Sequence, residues 1–334
     1  MNLFALTRKL IDIPSVTGDE QAVGEFLRSH LEGLGYQVEM QEVAEERFNV
    51  IATTSAWPRV VFSTHMDTVP PHILSSEDEE RIYGRGACDA KGIIASQIQA
   101  AERLRANGVN EVGLLFTVDE ETGSLGAQVA NKNKLSRPPE YLINGEPTDN
   151  KQAQATKGSL RLSLKTSGRA SHSAYPEQGE SAIEKLLDIL ERIRKADWPR
   201  DEVLGATTCN IGVISGGTRA NVVPDSAEAV LQLRLVSDVG RVKEILEAAI
   251  DGRAEVEYLS EHDPVHLLTV ESIEKCVVRF TTDIPYLSHW GTPLLLGPGS
   301  ILNAHTDHEF VEKSELTSAV ELYVQLARTL LASR

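Results

Sequence analysis

Residues 111–121, EVGLLFTVDEE, run from an unbroken apolar segment straight into three carboxylates. An apolar run of this length reads as a strand buried on both faces. The acidic residues then fall just beyond its carboxyl end, where open α/β sheets assemble their sites. Three other segments repeat the arrangement. RVVFST (59–64) runs into His65, and YLING (141–145) runs into Glu146. TPLLLG (292–297) runs into the turn Gly297-Pro298-Gly299 and then His305. If these strands are parallel neighbours, the four ends converge on one crevice. Asp89 joins them from the glycine-punctuated loop between Gly84 and Gly92.

Taken singly, these residues say little. A histidine after a strand is usually a hydrogen-bonded structural residue, and a Glu-Glu pair is usually exposed. As a set, two imidazoles and three carboxylates are what one or two zinc-type ions require. A bridging carboxylate can hold two ions about 3.5–4 Å apart, a spacing suited to hydrolysis. Asp67 stands two residues past His65, so in extended chain both side chains share a face. That suits a carboxylate orienting the imidazole; a plain turn residue before Pro70 is the alternative.

Around these segments the chain alternates strand and helix. Apolar spacing predicts helices over 19–33, 91–107 and 124–131, with extended segments near 36–43 and 48–53. This order predicts a largely parallel sheet with helices on both faces. Residues 158–264 have a different rhythm. Strands at 159–167, 206–214, 226–236 and 253–259 and helices at 180–196 and 238–250 give βαββαβ, the ferredoxin-like order. Residues 265–334 return to an apolar strand and close with a helix near 314–332. The simplest organisation is an α/β domain of residues 1–157 and 265–334, interrupted by an inserted domain of residues 158–264. The acidic run Glu77-Asp78-Glu79-Glu80 reads as a solvated loop.

Composition bounds the function. The 334 residues carry 33 Lys and Arg against 49 Asp and Glu, a net charge of −16. An acidic chain is a poor match for nucleic acid or anionic lipid. Hydrophobic residues, at 41%, suffice for a packed core. No apolar run of about 18 residues occurs, so no membrane span is expected. Arg8, Lys9 and Asp12 interrupt the N-terminal MNLFALTRKLIDIPS, which does not read as a signal peptide. Cys88, Cys209 and Cys276 lie far apart, as reduced thiols would, and the expected location is the cytoplasm. Spacing removes other enzyme classes. A dinucleotide fingerprint would need a third glycine where Asp89 stands, and GxxxxGK[ST], GxSxG and HExxH are all absent.

The motifs together resemble the M20 family of metallopeptidases and deacylases. The family includes acetylornithine deacetylase, succinyl-diaminopimelate desuccinylase and glutamate carboxypeptidase. His65-Met66-Asp67-Thr68-Val69-Pro70 resembles the first-ligand motif of that family, and Tyr83 to Gly92 its bridging-aspartate motif. Asp119-Glu120-Glu121-Thr122-Gly123, Gly145-Glu146-Pro147-Thr148 and Ser171-His172-Ser173-Ala174-Tyr175-Pro176 match three more, in the expected order. The resemblance implies a zinc-peptidase-like α/β catalytic domain with an inserted ferredoxin-like dimerisation domain.

The resemblance also implies residue roles. Asp89 bridges two divalent ions, zinc first, with cobalt or manganese as alternatives. His65 and Glu146 complete one shell; Glu121 and His305 complete the other. Asp67 orients His65. Glu120 is the general base for attack by a metal-bridging water; from the residues alone, Glu120 and Glu121 are interchangeable. His172 reaches the partner subunit's site in a homodimer formed through 158–264 and polarises the developing oxyanion. Arg234 resembles an arginine that holds a substrate carboxylate, with Asn221, Gly297 and Thr281 as further substrate neighbours; an arginine on an exposed strand face is the plain alternative. In one place the chain departs from the family pattern. His308 fills a slot usually held by Asp or Asn, next to Glu309, and competes with His305 as a ligand. Cys88 reads as packing. The implied activity is removal of an N-acyl group from an amino acid, as by acetylornithine deacetylase in arginine or lysine biosynthesis, with the substrate free or linked to a carrier protein. A dipeptidase or carboxypeptidase is the alternative within the family, and a metal-free binding protein the alternative outside it.

Overall fold

Pairing of the apolar runs builds one sheet in the first part of the chain and a second sheet in its middle. The computed structural model describes residues 1–55, 57–132 and 137–332. In chain order its main elements are α1 (Leu3–Ile11), α2 (Gln21–Gly33), β1 (Gln37–Ala44), β2 (Arg47–Thr53) and β3 (Val60–His65). Next come α3 (Lys91–Ala106), β4 (Val112–Thr117), α4 (Leu125–Lys132) and β5 (Tyr141–Asn144). The middle holds β6 (Gly158–Ser167), α5 (Ala182–Lys195), β7 (Thr208–Gly216), β8 (Ser226–Leu235), α6 (Val239–Ile250) and β9 (Glu255–His262). The chain closes with β10 (Thr292–Leu295) and α7 (Lys313–Ala332). Two units result. One is Met1–Gln154 with Leu267–Cys276 and Thr282–Arg334; the other is Ala155–His266 with Val277–Thr281.

In the first unit the sheet order is β1-β2-β4-β3-β5-β10. The four strands β4, β3, β5 and β10 pair in parallel. The other two pairings, β1 with β2 and β2 with β4, are antiparallel. The alternation of strand and helix overstated the parallel part because only Glu45 and Glu46 join β1 to β2. A two-residue connection can only reverse the chain into a hairpin. Alternate residues face opposite layers. Val50, Ala52, Val60, Phe62, Leu114 and Phe116 pack against α1, α2, α3 and α7. Ile51, Val61, Leu115 and Leu142 pack on the other side against Ala127 and Ala130 of α4, with Leu287 and Trp290. Each central strand is therefore buried on both faces, and its polar residues are confined to its ends.

Two local readings become sharper. The N-terminal segment is the helix α1, whose first turn is capped by Asn2 Oδ1 accepting from the Ala5 N–H at 2.8 Å. The acidic run is a hairpin turn between the short strands Ser76–Glu77 and Arg81–Tyr83. Asp78 Oδ1 closes that turn by accepting the N–H groups of Glu80 and Arg81 at 2.9 and 2.7 Å.

The second unit carries the antiparallel sheet β7-β8-β6-β9. Leu160, Leu162 and Leu164 of β6 and Ala229, Leu231 and Leu233 of β8 form its core with Leu186, Ile189 and Ile193 of α5 and Val242, Leu246 and Ile250 of α6. The strand period of two thus buries one face under both helices and leaves Glu228, Val230, Gln232 and Arg234 on the other.

Gly145 shows how closely the first unit is packed around the end of β5. A Cβ there would overlap Ile93 and Gln97 of α3. The Gly145 N–H donates to Ser63 O at 2.7 Å, and its carbonyl accepts from Thr64 Oγ1 at 2.9 Å. Gly145→Ala should therefore destabilise the protein by roughly 1–3 kcal/mol, the usual cost of overpacking, as measured by urea unfolding.

Candidate active site

The C-terminal ends of the parallel strands hold the ionisable groups. His65 is the last residue of β3 and is buried. Its Nδ1 lies 3.0 Å from the Asp67 carbonyl oxygen, and its Nε2 lies 3.0 Å from Asp89 Oδ1. With Nδ1–H donating to that carbonyl, Nε2 keeps the lone pair a metal needs. Burial opposes charge on His65, but Asp67 and Asp89 outweigh it and raise its pKa well above the ordinary value.

Asp67 is fully buried and well supplied with donors. Thr17 Oγ1 donates to its Oδ2 at 2.8 Å, and the N–H groups of Glu120 and Glu121 donate at 3.1 and 3.2 Å. Burial works against its charge, but His65 and these donors hold its pKa below the usual carboxylate range. One residue thus fixes the imidazole, through its carbonyl, and the backbone that carries both glutamates, through its carboxylate.

The three carboxylates after β4 divide their tasks. Asp119, at φ 71°, turns toward the scaffold. Its Oδ1 accepts from Arg47 Nη2 at 2.8 Å, and its Oδ2 accepts from the Leu125 N–H at 3.3 Å, at the start of α4. Arg47 also holds the buried Glu20 at 2.6 Å. Glu121 Oε1 lies 3.0 Å from His305 Nε2. His65, Asp89 and Glu121 each offer a ligand atom within 4.8 Å of one another. The Glu120 carboxylate has no hydrogen-bond partner among the described residues. Burial and then Glu146 push its pKa well above the ordinary value. The geometry thus distinguishes two residues that the sequence alone left interchangeable: Glu121 offers an oxygen near ligand atoms of His65 and Asp89, whereas the Glu120 carboxylate has no hydrogen-bond partner among the described residues.

Glu146 follows Gly145 at the end of β5 and is buried, with its Oε1 unpartnered among the described residues. Burial, and then Asp89, raises its pKa well above normal. His305 Nε2 lies 3.3 Å from Asp89 Oδ2, so Asp89 stands between the two imidazoles. His308 is exposed. Glu309, by contrast, is buried and binds the loop that carries Asp89. Asp283 is a further buried carboxylate. It accepts from Thr117 Oγ1 at 2.7 Å, and burial raises its pKa to about 6. Thr17 and Asp283 make these bonds over sequence separations of 50 and 166 residues. Glu309 was visible only as a neighbour of His308.

The remaining candidates divide between the units. Gly297 is buried beside the Glu146 backbone, and its N–H donates to Thr148 Oγ1 at 3.0 Å. A Cβ at Gly297 would sit 2.5 Å from the Glu146 carbonyl oxygen, so only glycine allows this approach. His172, Asn221, Arg234 and Thr281 belong to the second unit. There the Ser173 N–H donates to the Asn221 carbonyl at 3.0 Å, joining the loops that carry Asn221 and His172. Arg234 is half-buried and has no ion pair or hydrogen bond among the described residues.

This donor set fits divalent metal. Glu146 and Glu121 raise the pKa of Glu120, Asp89 and Glu121 raise that of Glu146, and the Glu146 Oε1 has no hydrogen-bond partner among the described residues. Buried carboxylates are normally paired or bound to cations. His65, Asp89, Glu121, Glu146 and His305 supply nitrogen and oxygen ligands of the right type.

A sheet with such a cluster at its strand ends defines a metal-dependent hydrolase of amide bonds, and comparison gives the family. The chain matches Peptidase family M20/M25/M40 over residues 61–329 and belongs to it. It is 37% identical to a peptidase M20 domain-containing protein of Schizosaccharomyces pombe, over 97% of this chain and 84% of that one. It is 36% identical to a probable carboxypeptidase of Paracoccidioides brasiliensis, with the same coverage. Among solved structures, a tripeptidase of Staphylococcus aureus superposes with a TM-score of 0.81 at 22% identity, covering 98% of both chains. An M20 family metallo-carboxypeptidase of Sulfolobus solfataricus superposes with a TM-score of 0.78 at 19% identity, covering 98% of this chain and 99% of that one.

In the metal-free protein, hydrogen bonds to Asp89 and Glu121 raise the His305 pKa to about 10. His305 is then protonated at pH 7, and Glu120, Glu121 and Glu146 are held toward their neutral forms. Ligands must shed these protons, so metal binding should release protons and strengthen as pH rises through neutrality. Calorimetric zinc titrations in two buffers of different ionisation enthalpy measure this release directly. Proton uptake, or affinity independent of pH, would contradict it.

Proposed function

We propose that this protein hydrolyses the amide bond joining an acyl or aminoacyl group to an amino acid whose α-carboxylate is free. The observation that carries the reading is the contrast between Glu121, set among the ligand atoms, and Glu120, whose carboxylate is left without a partner. A base must reach the attacking water without being spent as a ligand. Relatives named as probable carboxypeptidases support a substrate with a free carboxyl terminus. An N-acyl amino acid, such as N-acetylornithine, presents the same amide and the same carboxylate. It is the narrower form of the proposal.

Two zinc-type ions held by His65, Asp89, Glu121, Glu146 and His305 would polarise the amide carbonyl and acidify water. The chain's own groups do the rest. Glu120, its carboxyl pKa raised, takes a proton from the attacking water and delivers it to the departing amine nitrogen. Asp67 holds the His65 ring and the Glu120 backbone in register. Arg234, a half-buried guanidinium without a counter-charge, offers a fork for the substrate carboxylate. His172 is exposed and free to donate to the oxyanion. A cytoplasmic setting suits the three free cysteines.

The second unit supports a homodimer. β7 is an edge strand of its sheet, and its Val213 and Ile214 are 57% and 54% exposed. An apolar edge left bare is an invitation to pairing, and a second copy of the same strand satisfies it.

Two measurements check these statements. Glu120→Gln should lower kcat on Gly-X dipeptides or N-acetyl amino acids by roughly 10²–10⁴-fold while leaving the metal content unchanged. Glu121→Gln should lose metal instead, so retained activity in Glu120→Gln would remove the assigned base. A panel of dipeptides against acetyl, succinyl and formyl amino acids ranks the two substrate forms. Separately, Ile214→Lys should convert a dimer to a monomer in light scattering after size exclusion; a wild-type monomer would exclude the pairing.

A further inference from the structure

The loop that carries Asp89 is gripped by a side chain outside the ligand set. Glu309 is 1% exposed. Its Oε1 accepts three backbone N–H groups, those of Gly86, Cys88 and Asp89, at 3.0, 3.2 and 3.2 Å. Its Oε2 accepts from Arg85 Nη1 at 2.7 Å, and Arg85 is itself 2% exposed. The same Arg85 nitrogen donates to the Thr306 carbonyl at 3.0 Å, and Arg85 Nε donates to the Pro71 carbonyl at 3.3 Å. Thr306 adjoins His305, and Pro71 closes the segment that begins at His65. One buried pair therefore ties together the three loops that bring His65, Asp89 and His305 to one place.

The loop is shaped for this grip. Gly84 and Gly86 take φ values of 132° and 88°, which side-chain-bearing residues avoid. Such backbone lets successive N–H groups converge on one anion. The converging anion here is a side chain of the protein, and the last N–H it gathers is that of Asp89 itself.

We propose that Glu309 is a positioning residue: by gathering these three N–H groups it sets the Asp89 carboxylate between His65 and His305, where one group can serve two ions. Arg85 is its fixed counter-charge. The role goes beyond holding the fold, because it makes the second ion's affinity depend on a residue that touches no metal. Groups that orient metal ligands commonly change affinity by about 10–100-fold.

The proposal rests on the two-ion reading, so the wild type is titrated first, with zinc alone, by calorimetry and elemental analysis. A wild type that binds fewer than two ions ends that reading before Glu309 is tested. Two double variants then isolate the acceptor. Arg85→Met with Glu309→Gln removes both buried charges and keeps a side-chain oxygen for the N–H groups. Arg85→Met with Glu309→Met removes the charges and the oxygen at similar volume; neutralising both partners avoids stranding a buried charge. The first should bind two ions, the second ion within a few-fold of wild type. The second should keep one ion and weaken the other at least about 10-fold. Manganese-loaded samples give an independent signature: spin coupling between paired ions should persist in the first and vanish in the second. Equal affinities and equal coupling in the two variants would overturn the proposal, whatever their melting temperatures. If the methionine variant does not fold, the glutamine variant decides alone, since loss of its second ion or its coupling also overturns it.

Discussion

Negative charge is the constraint on which the rest of the first unit depends. Asp67, Asp89, Glu120, Glu121, Glu146 and Asp283 share one electrostatic environment with only two imidazoles. Like charges in a poorly hydrated space repel more strongly than they would in water. The protein meets this constraint by sorting. Asp67, Glu309 and Asp119 have their oxygens filled by N–H, hydroxyl or guanidinium donors, so they are finished as scaffold. Glu120 and the Oε1 of Glu146 are left without such donors among the described residues. A cation would satisfy the Glu146 oxygen and leave the Glu120 carboxylate unspent.

The scaffold makes such crowding tolerable by confining it. β4, β3, β5 and β10 are buried on both faces, and the ionisable side chains appear only where the strands end. Parallel pairing places those ends side by side. Helix α3 then begins at Lys91, directly after the Asp89 loop, and is enclosed along most of its length. Close approach is needed throughout, which is why Gly145 and Gly297 both sit where a Cβ would strike backbone or core. His65, the glutamates and Glu146 thus follow strand ends directly and take their placement from the sheet, whereas Asp89 and His305 come from longer connections.

The sequence marked the candidate ligands more clearly than the residues that support them. His65, Asp89, Glu121, Glu146 and His305 each follow a strand or a glycine loop, so a local pattern marks them. The same pattern could not order Glu120 and Glu121, because only contact with His305 distinguishes them. Thr17 and Asp283 form their bonds across the fold, and Glu309 reaches its loop over about 220 residues, so their neighbourhoods do not show what they bind. The reversal between β1 and β2 lay in a two-residue connection that the period of strand and helix does not weigh. The N-terminal helix was missed for a related reason. In sequence its charges break an apolar run, but Arg8 and Lys9 lie in its last turn, where cations favour the helix dipole.

The overall acidity leaves the charge of the substrate undecided, and the arginines answer it better. Arg47 is bound to Glu20 and Asp119, Arg59 to Glu140, and Arg85 to Glu309. In each case a shielded guanidinium has a carboxylate within 2.8 Å. Arg234 breaks this rule in a chain with 49 carboxylates to choose from. Burial alone lowers its pKa, and no acid compensates among the described residues. Its strand neighbours across the sheet are Thr208 and Ser159, neither of which carries charge. Desolvating a guanidinium without a partner is costly, and an acidic protein that leaves one so has withheld the partner. The anion that fits a planar fork of donors is a carboxylate, and that fit is one reason the substrate proposed above carries a free one.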